Sequence, residues 1–177
     1  MGCISSANFS ILVNGSPSPF FTASCGIRQG CPLSPLLFIL VIEGLSLLIE
    51  DAKVNRRIRG INISPQLFLT HLLFVDDVIL FGLGFFEEWM AFKVILDTFC
   101  EAFGMHINME KSCFLHNDLD TDLLRRITGL LPYIFEHINH GFNYLGYFLK
   151  PTGYLVKDWH WIISKFHLCF PSHIYSL

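Results

Sequence analysis

The segment HLLFVDDVILFG, residues 71–82, constrains the fold of this chain more than any other segment. Two apolar runs, LLFV and VILF, flank the pair Asp76-Asp77 symmetrically. Short apolar runs on both sides of turn-forming residues are typical of two strands joined by a tight turn, and aspartate tolerates turn dihedral angles. The segment therefore predicts a β-hairpin with its carboxylates at the tip.

The adjacent carboxylates of Asp76 and Asp77 have two interpretations. An ordinary hairpin tip requires nothing further. Two like charges between such apolar flanks would, however, repel each other and lose hydration unless a cation lay nearby. Mg²⁺ prefers hard oxygen ligands and is commonly held by one or two carboxylates together with substrate phosphates. From the spacing alone, the ordinary turn is favoured over the metal site.

Helical and extended patterns alternate along the chain, which predicts an α+β fold. We expect strands at 9–13, 20–23, 58–63 and 105–108, and helices at 35–53 and 86–103. Ser34 and Pro35 have the residue types of an N-cap and a first helical position, and Gly104 suits a C-cap. The aromatic stripe of the second helix indicates a buried core face.

Charge and hydropathy exclude several classes of protein. Hydrophobic residues make up 52% of the 177 residues and charged residues 15%, which excludes a disordered chain. The net charge of −3 gives no global attraction to nucleic acid or to an anionic membrane. A local basic cluster, Lys53, Arg56, Arg57 and Arg59, is equally well explained as a solvated helix end and as a phosphate contact.

A membrane location and a secreted location are both disfavoured. Residues 31–49 approach a spanning length, but prolines at the start and Glu43-Gly44 in the middle favour a buried helix. The opening MGCISS matches the N-myristoylation pattern, although a pattern this short also matches by chance. Six cysteines without a C-x-x-C pair and the lack of a secretory signal favour the nucleus or the cytoplasm.

Four motifs carry a resemblance to a known family. They are GIRQGCPLSPLLF (26–38), FVDD (74–77), GMHINMEKS (104–112) and YLG (144–146). In order and near spacing they resemble the successive motifs of reverse transcriptases from LINE-type non-LTR retrotransposons, with the plant elements most similar. The resemblance is strong over 9–112, fair around 144–150 and thin from 151 onward.

The resemblance implies a palm subdomain of an RNA-directed DNA polymerase, an antiparallel sheet with the FVDD hairpin backed by helices. In that family the hairpin presents metal-binding aspartates, so Asp76 is the expected ligand and Asp77 a supporting one. Two Mg²⁺ ions would activate the primer 3′-hydroxyl and stabilise the leaving pyrophosphate. RNA template, DNA primer and deoxynucleotides are the implied partners. The implied domains are a partial palm, 1–150, and the start of a thumb-side segment, 151–177.

The loop that carries Arg28, Gln29 and Gly30 resembles the family segment beside the incoming nucleotide and the template. Glycines allow the backbone to approach a ligand closely, and the Gln29 amide can form hydrogen bonds to it. On spacing alone, a glycine-bounded loop that leads into a helix is the favoured interpretation.

Two further motifs contribute expected site residues. Lys111 matches the lysine of the GMHINMEKS-type motif, where its charge would lie near the triphosphate. Tyr144, Leu145 and Gly146 resemble the motif that supports the primer at the border of palm and thumb. Without the resemblance, those three residues indicate only a strand and a turn.

One departure from the family pattern concerns the carboxylates. The family palm has another aspartate on a strand ahead of the RQG loop, whereas residues 1–42 contain no Asp or Glu and Glu43 is the first acidic residue. We therefore expect a truncated chain that is inactive alone. Two alternatives stay open: a non-catalytic RNA-binding or interaction module, and an N-acylated, membrane-associated protein.

Overall fold

The computed structural model describes residues 8–22 and 30–169, which belong to two compact units, 1–107 and 108–177. The α-helices are α1 (Ser34–Val54), α2 (Phe86–Phe103), α3 (Thr121–Leu130) and α4 (His160–Cys169), and 3₁₀ turns span Ile138–His140 and Val156–Trp159. The strands are β1 (Asn8–Phe9), β2 (Leu12–Val13), β3 (Ser16–Pro17), β4 (Phe21–Thr22), β5 (Ile61–Ser64), β6 (Leu67–Leu69), β7 (His71–Phe74), β8 (Asp77–Leu80), β9 (Cys113–His116), β10 (Ile134–His137), β11 (Phe142–Tyr144) and β12 (Tyr147–Leu149). This mixture confirms the predicted α+β class.

The strands pair two by two. The antiparallel pairs are β1–β4, β2–β3, β5–β6, β7–β8 and β11–β12, and β9–β10 is parallel. In the part of the chain that the structure describes, these ladders do not merge into one continuous sheet. The carboxylate-bearing hairpin is the β7–β8 ladder.

Helix α1 begins at Ser34, with Pro35 in its first turn. Leu33, not Ser34, occupies the N-cap position, and no side chain caps the first N–H groups. The predicted Ser34 cap is therefore wrong, because the helix starts one residue earlier than expected. The predicted end at 53 agrees with the observed end at Val54 to within one residue.

Helix α2 has the predicted bounds, and Gly104 follows it with a left-handed backbone, φ 63°. Its inward face packs against α1, and the buried core of the first unit consists of Leu45, Ile49, Ala52, Ile58, Phe92, Ile95 and Phe99. The aromatic stripe of α2 is thus a core face, as its spacing predicted. None of the helices in the described residues is both long and apolar enough to cross a membrane.

The second unit has its own small core around α3. Asp120 caps this helix by accepting hydrogen bonds from the N–H groups of Asp122 and Leu123. Ile127 is fully buried, and the Phe114 ring of β9 stacks on a ring of β10. The strand predicted at 105–108 is wrong: the chain forms an irregular connection there, and the next strand is β9.

Candidate functional site at the Asp76-Asp77 hairpin

The hairpin predicted around FVDD is confirmed. Its register pairs Phe74 with Asp77 and His71 with Leu80, and Val75-Asp76 form a two-residue turn. Asp76 therefore lies in the turn, whereas Asp77 begins β8. The ladder continues past the strand ends because Phe81 N–H donates to the Thr70 carbonyl at 2.8 Å.

Val75 adopts an unusual backbone conformation at the hairpin tip. Its φ is +52°, although its β-branched side chain disfavours this region strongly. Left-handed geometry costs about 1–2 kcal/mol for an ordinary L-residue. Such outliers persist where the surrounding fold determines them, and they concentrate at functional sites.

Both carboxylates at the tip are exposed to solvent. Within the described part of the chain, neither the Asp76 nor the Asp77 carboxylate accepts a hydrogen bond or forms an ion pair. The expectation that apolar flanks would strip them of water is wrong, because the neighbouring side chains Phe74, Val75 and Val78 are themselves exposed. The carboxylates keep their hydration and their full capacity to accept a ligand.

These two side chains fit one divalent cation that shares its coordination with water and substrate phosphate. Hard carboxylate oxygens are the donors that Mg²⁺ prefers, and Mg²⁺ keeps several waters. The described residues contain no group of three or more potential ligands that could enclose a metal ion. The hairpin by itself would therefore supply only part of the coordination of such an ion, not an all-protein cage.

The base of the hairpin is anchored on the core while its tip projects into water. Leu73 and Leu80, one from each strand, pack against the buried cluster between α1 and α2. On the opposite face, Leu72 is 44% exposed and Phe74 53% exposed. Because alternate residues of a strand face opposite sides, this packing fixes the position of the carboxylate-bearing turn.

His71 ties the start of β7 to α1. Its Nε2 lies 2.9 Å from the Ser46 hydroxyl of α1, and its Nδ1 lies 3.0 Å from the Thr70 hydroxyl. Burial lowers the pKa of the His71 imidazole; Lys53 acts in the same direction, and Glu50 and Glu43 oppose it. Folding therefore favours the neutral form of the His71 imidazole.

Glu88 has a structural role beside the hairpin that sequence reasoning missed. Its side chain is buried in the first turn of α2, yet it accepts three backbone hydrogen bonds. The Oε1 atom accepts from the N–H groups of Arg59 and Gly60 at 2.7 and 2.8 Å, and Oε2 accepts from Leu83 at 2.7 Å. This carboxylate joins the segments that enter β5 and leave β8. In the sequence, an acidic pair at a helix start indicates only a favourable dipole contact.

The predicted nucleotide-binding residues are only partly covered by the structure. Arg28 and Gln29 lie outside the described residues. Gly30 is exposed in the turn before α1, with φ +80°. Lys111 is exposed in the second unit, where its N–H donates to the carbonyl and side-chain oxygens of Asn108. The roles expected of these residues stay predictions.

The YLG motif forms the turn of the β11–β12 hairpin. Tyr144 ends β11, and Leu145 and Gly146 have φ of +51° and +76°. The Gly146 carbonyl accepts a hydrogen bond from Lys165 Nζ at 2.9 Å, a contact that the sequence did not indicate. The expected strand and turn are confirmed, and primer support stays a prediction.

Comparison with known families places the chain. Residues 3–149 match the family described as reverse transcriptase (RNA-dependent DNA polymerase). The match covers well over half of the chain, which therefore belongs to the reverse transcriptase family. Members of this family use divalent metal ions and act on a nucleic-acid template and primer.

Individual relatives agree with this placement. An uncharacterised mitochondrial protein of Arabidopsis thaliana is 48% identical over 69 residues, which cover 37% of this chain and 55% of the relative. The retrovirus-related Pol polyprotein from the type-1 retrotransposable element R2 of Popillia japonica is 30% identical over 63% of this chain and 17% of its own length. Its type-2 counterpart, R2DM of Drosophila melanogaster, is 33% identical over 57% of this chain and 9% of its own length.

The chain spans about half the length of the Arabidopsis relative and a small part of the two polyproteins. The relatives from retrotransposable elements support a retrotransposon origin, and the plant relative fits the resemblance to plant elements. The non-catalytic module and the acylated membrane protein are not favoured by these matches.

Proposed function

We propose that this chain carries the carboxylate hairpin of an RNA-directed DNA polymerase of retrotransposon type. The observation that supports this most directly is the geometry of the β7–β8 hairpin. Two neighbouring carboxylates, which have no partner among residues 8–22 and 30–169, lie at an exposed tip whose strands pack against the core. A family member that handles a charged, phosphate-bearing substrate needs carboxylates in this form, accessible and free to take a ligand.

Mg²⁺ is the proposed cation, with Asp76 as ligand and Asp77 as its supporting neighbour. When bound, such an ion neutralises charge that develops on transferring phosphate groups. The proposed role of the hairpin residues is to hold the carboxylate oxygens in fixed positions and to leave room for water and phosphate. The hairpin register and the packing of Leu73 and Leu80 support that role.

The remaining roles follow the family motifs and are proposals as well. Arg28, Gln29 and Gly30 are proposed to contact the incoming nucleotide and template, and Lys111 the triphosphate. The primer is proposed to rest on the YLG turn at 144–146. The proposed domains are a palm portion, 1–150, and a thumb-side segment, 151–177.

The chain alone is proposed to be inactive. Two-metal nucleotidyl transfer holds its ions about 3.5–4 Å apart with a shared carboxylate set. Asp76 and Asp77 supply two carboxylates from one hairpin, and residues 1–42 supply none. A further carboxylate, which residues 1–42 do not contain, would be required to complete the set.

Primer extension tests this proposal. The purified chain is incubated with a primed RNA template, deoxynucleotides and either Mg²⁺ or Mn²⁺. We expect no templated product from the wild-type chain or from Asp76→Ala. Templated product from the wild-type chain that disappears in Asp76→Ala would contradict the proposed inactivity of the chain. It would still agree with the proposed role of Asp76. Product that persists in Asp76→Ala would overturn the role of the hairpin itself.

A further inference from the structure

Two histidines lie side by side on the parallel ladder of the second unit. The register of this ladder pairs His116 of β9 directly with His137 of β10. Residues that lie opposite each other in a ladder direct their side chains to the same face of it. The two imidazole rings accordingly meet with their centroids 5.5 Å apart, in an edge-on arrangement with an interplanar angle of 77°. The fold thus brings together two rings that the sequence analysis did not connect.

The His116 ring has a nitrogen that the protein leaves without a partner. Its Nδ1 atom is buried and forms no hydrogen bond within residues 8–22 and 30–169. Buried polar atoms in native proteins are nearly always satisfied, and an exception calls for a ligand, a water molecule or an ion. This nitrogen is therefore a place where a bound group would complete the structure.

The His137 ring is oriented by hydrogen bonds on both of its nitrogens. Its Nδ1 accepts from the Asn139 N–H at 3.1 Å, so the neutral ring carries its proton on Nε2, which lies 3.1 Å from Asp118 Oδ1. A carboxylate that holds the outer N–H of an imidazole is the arrangement that orients metal-binding histidines and raises their basicity. The Nδ1 lone pair faces an exposed backbone N–H, which water can satisfy in its place.

The separation of the rings suits one shared metal ion. Two imidazoles bound to a tetrahedral Zn²⁺ at Zn–N distances of about 2.0–2.1 Å have centroids roughly 5–6 Å apart. The observed 5.5 Å falls within that range. Imidazole is a preferred ligand of Zn²⁺, Cu²⁺ and Ni²⁺, whereas Mg²⁺ prefers oxygen. Because the described residues form no group of three ligands, water would complete the coordination.

We propose that His116 and His137 chelate a transition-metal ion of the Zn²⁺ class between β9 and β10. Asp118 is the positioning residue, since it holds the outer N–H of His137, and water supplies the remaining ligands. The ion ties the two strands of the ladder together. This site uses none of the residues of the carboxylate hairpin and does not depend on the polymerase role proposed above.

Titration of the untagged chain with Zn²⁺ against a chromophoric chelator tests the proposal. We expect the wild type to bind about one Zn²⁺ more than either His116→Gln or His137→Asn. Asparagine at 137 keeps an acceptor for the Asn139 N–H. The double variant should lose no more zinc than either single variant, because both rings bind the same ion. The six cysteines are present in every variant, so their contribution cancels.

Three further variants serve as a second-residue test and as controls. Asp118→Asn is expected to weaken Zn²⁺ binding about 10-fold, because the His137 ring loses its carboxylate partner. Asparagine tolerates the left-handed backbone of this position, φ +48°. His106→Asn, which removes an exposed histidine of the first unit, should bind as the wild type does.

The double variant Asp76→Asn/Asp77→Asn should also bind Zn²⁺ as the wild type does. This control separates the two proposals, since loss of the hairpin carboxylates leaves the histidine pair in place. Failure of the hairpin proposal would therefore not change the zinc result, and failure of the zinc site would not affect the hairpin.

Nuclear magnetic resonance of the wild-type imidazoles provides a readout that needs no variant to fold. We expect Zn²⁺ to shift the ring-nitrogen resonances of two histidines together, and the same concentration of Mg²⁺ to shift neither. The proposal is overturned if His116→Gln binds as much Zn²⁺ as the wild type, or if the losses of the single variants add in the double variant. It is also overturned if Zn²⁺ shifts no pair of histidine resonances, which would leave a plain contact between two rings.

Discussion

At the scale of the residue, Val75 shows how the tip of the hairpin is maintained. A β-branched side chain at φ +52° opposes its own conformational preference. The strands on either side impose the conformation, since Leu73 and Leu80 hold both strands against the core. Strain of this kind is retained when the position of the neighbouring group, here Asp76, matters more than stability.

Val75→Gly is expected to raise the free energy of unfolding by about 1 kcal/mol, because glycine adopts positive φ without steric penalty. Urea denaturation of both proteins measures the difference. Val78→Gly in β8 is the matched control and should be destabilising by about 1 kcal/mol, since glycine weakens a strand. Equal destabilisation by both variants would contradict the strain at the tip.

His71 makes the stability of the first unit depend on pH. Its folded-state pKa is lowered, chiefly by burial, so between that value and the ordinary value of 6.5 the unfolded chain binds more protons than the folded one. Stability therefore rises with pH through this window and is lost as the pH falls below about 6.5.

The measurement is urea denaturation at pH 7.5 and pH 5.5. We expect the wild type to lose more stability on acidification than His71→Gln, which lacks the titrating group. His106→Gln, which removes an exposed histidine, is the control. An identical pH dependence in wild type and His71→Gln would exclude a contribution from the half-buried His71 ring.

At the scale of the element, features determined by local sequence were predicted better than features that depend on contacts distant in sequence. Helix α2 and the turn of β7–β8 were predicted well because the residues that determine them, an aromatic stripe with a C-cap glycine and a pair of turn residues, lie within each segment. The strand expected at 105–108 failed because strand formation here depends on a partner: β9 pairs with β10 across α3. The hydrogen bonds of Glu88 to Arg59, Gly60 and Leu83 were missed for the same reason.

Glu88 connects helix α2 to the segments that precede β5 and follow β8, and this connection can be tested by one substitution. A glutamine at this position has one acceptor oxygen in place of two, so Glu88→Gln leaves at least one backbone N–H of Arg59, Gly60 or Leu83 without its present partner. We expect the free energy of unfolding to fall by about 2 kcal/mol, as for a lost charge-assisted hydrogen bond. Chemical denaturation provides the measurement.

The neighbouring residue provides the control for this substitution. Glu87 is exposed, so Glu87→Gln should change stability by less than about 0.5 kcal/mol. A Glu88→Gln chain as stable as the Glu87→Gln chain would show that the three backbone hydrogen bonds contribute little to holding the hairpin segment.

At the scale of the whole molecule, the chain is a reverse transcriptase family member whose β7–β8 hairpin presents two exposed carboxylates, Asp76 and Asp77. The sequence predicted the family, the α+β class and the hairpin, because FVDD and its flanks form a local unit. It did not predict that both carboxylates stay hydrated, since exposure depends on what packs around the tip. Family membership and the open hairpin together lead to the central claim, a shared divalent-cation site at Asp76 and Asp77.

Electron paramagnetic resonance of Mn²⁺ tests that claim most directly, because the signal of the free ion falls as it binds. We predict that the wild-type chain takes up about one Mn²⁺ more than the double variant Asp76→Asn/Asp77→Asn. The control, Asp120→Asn/Asp122→Asn, removes two exposed carboxylates of the second unit, keeps a capping side chain, and should bind as the wild type does. Equal uptake by the wild type and the hairpin variant would contradict the account.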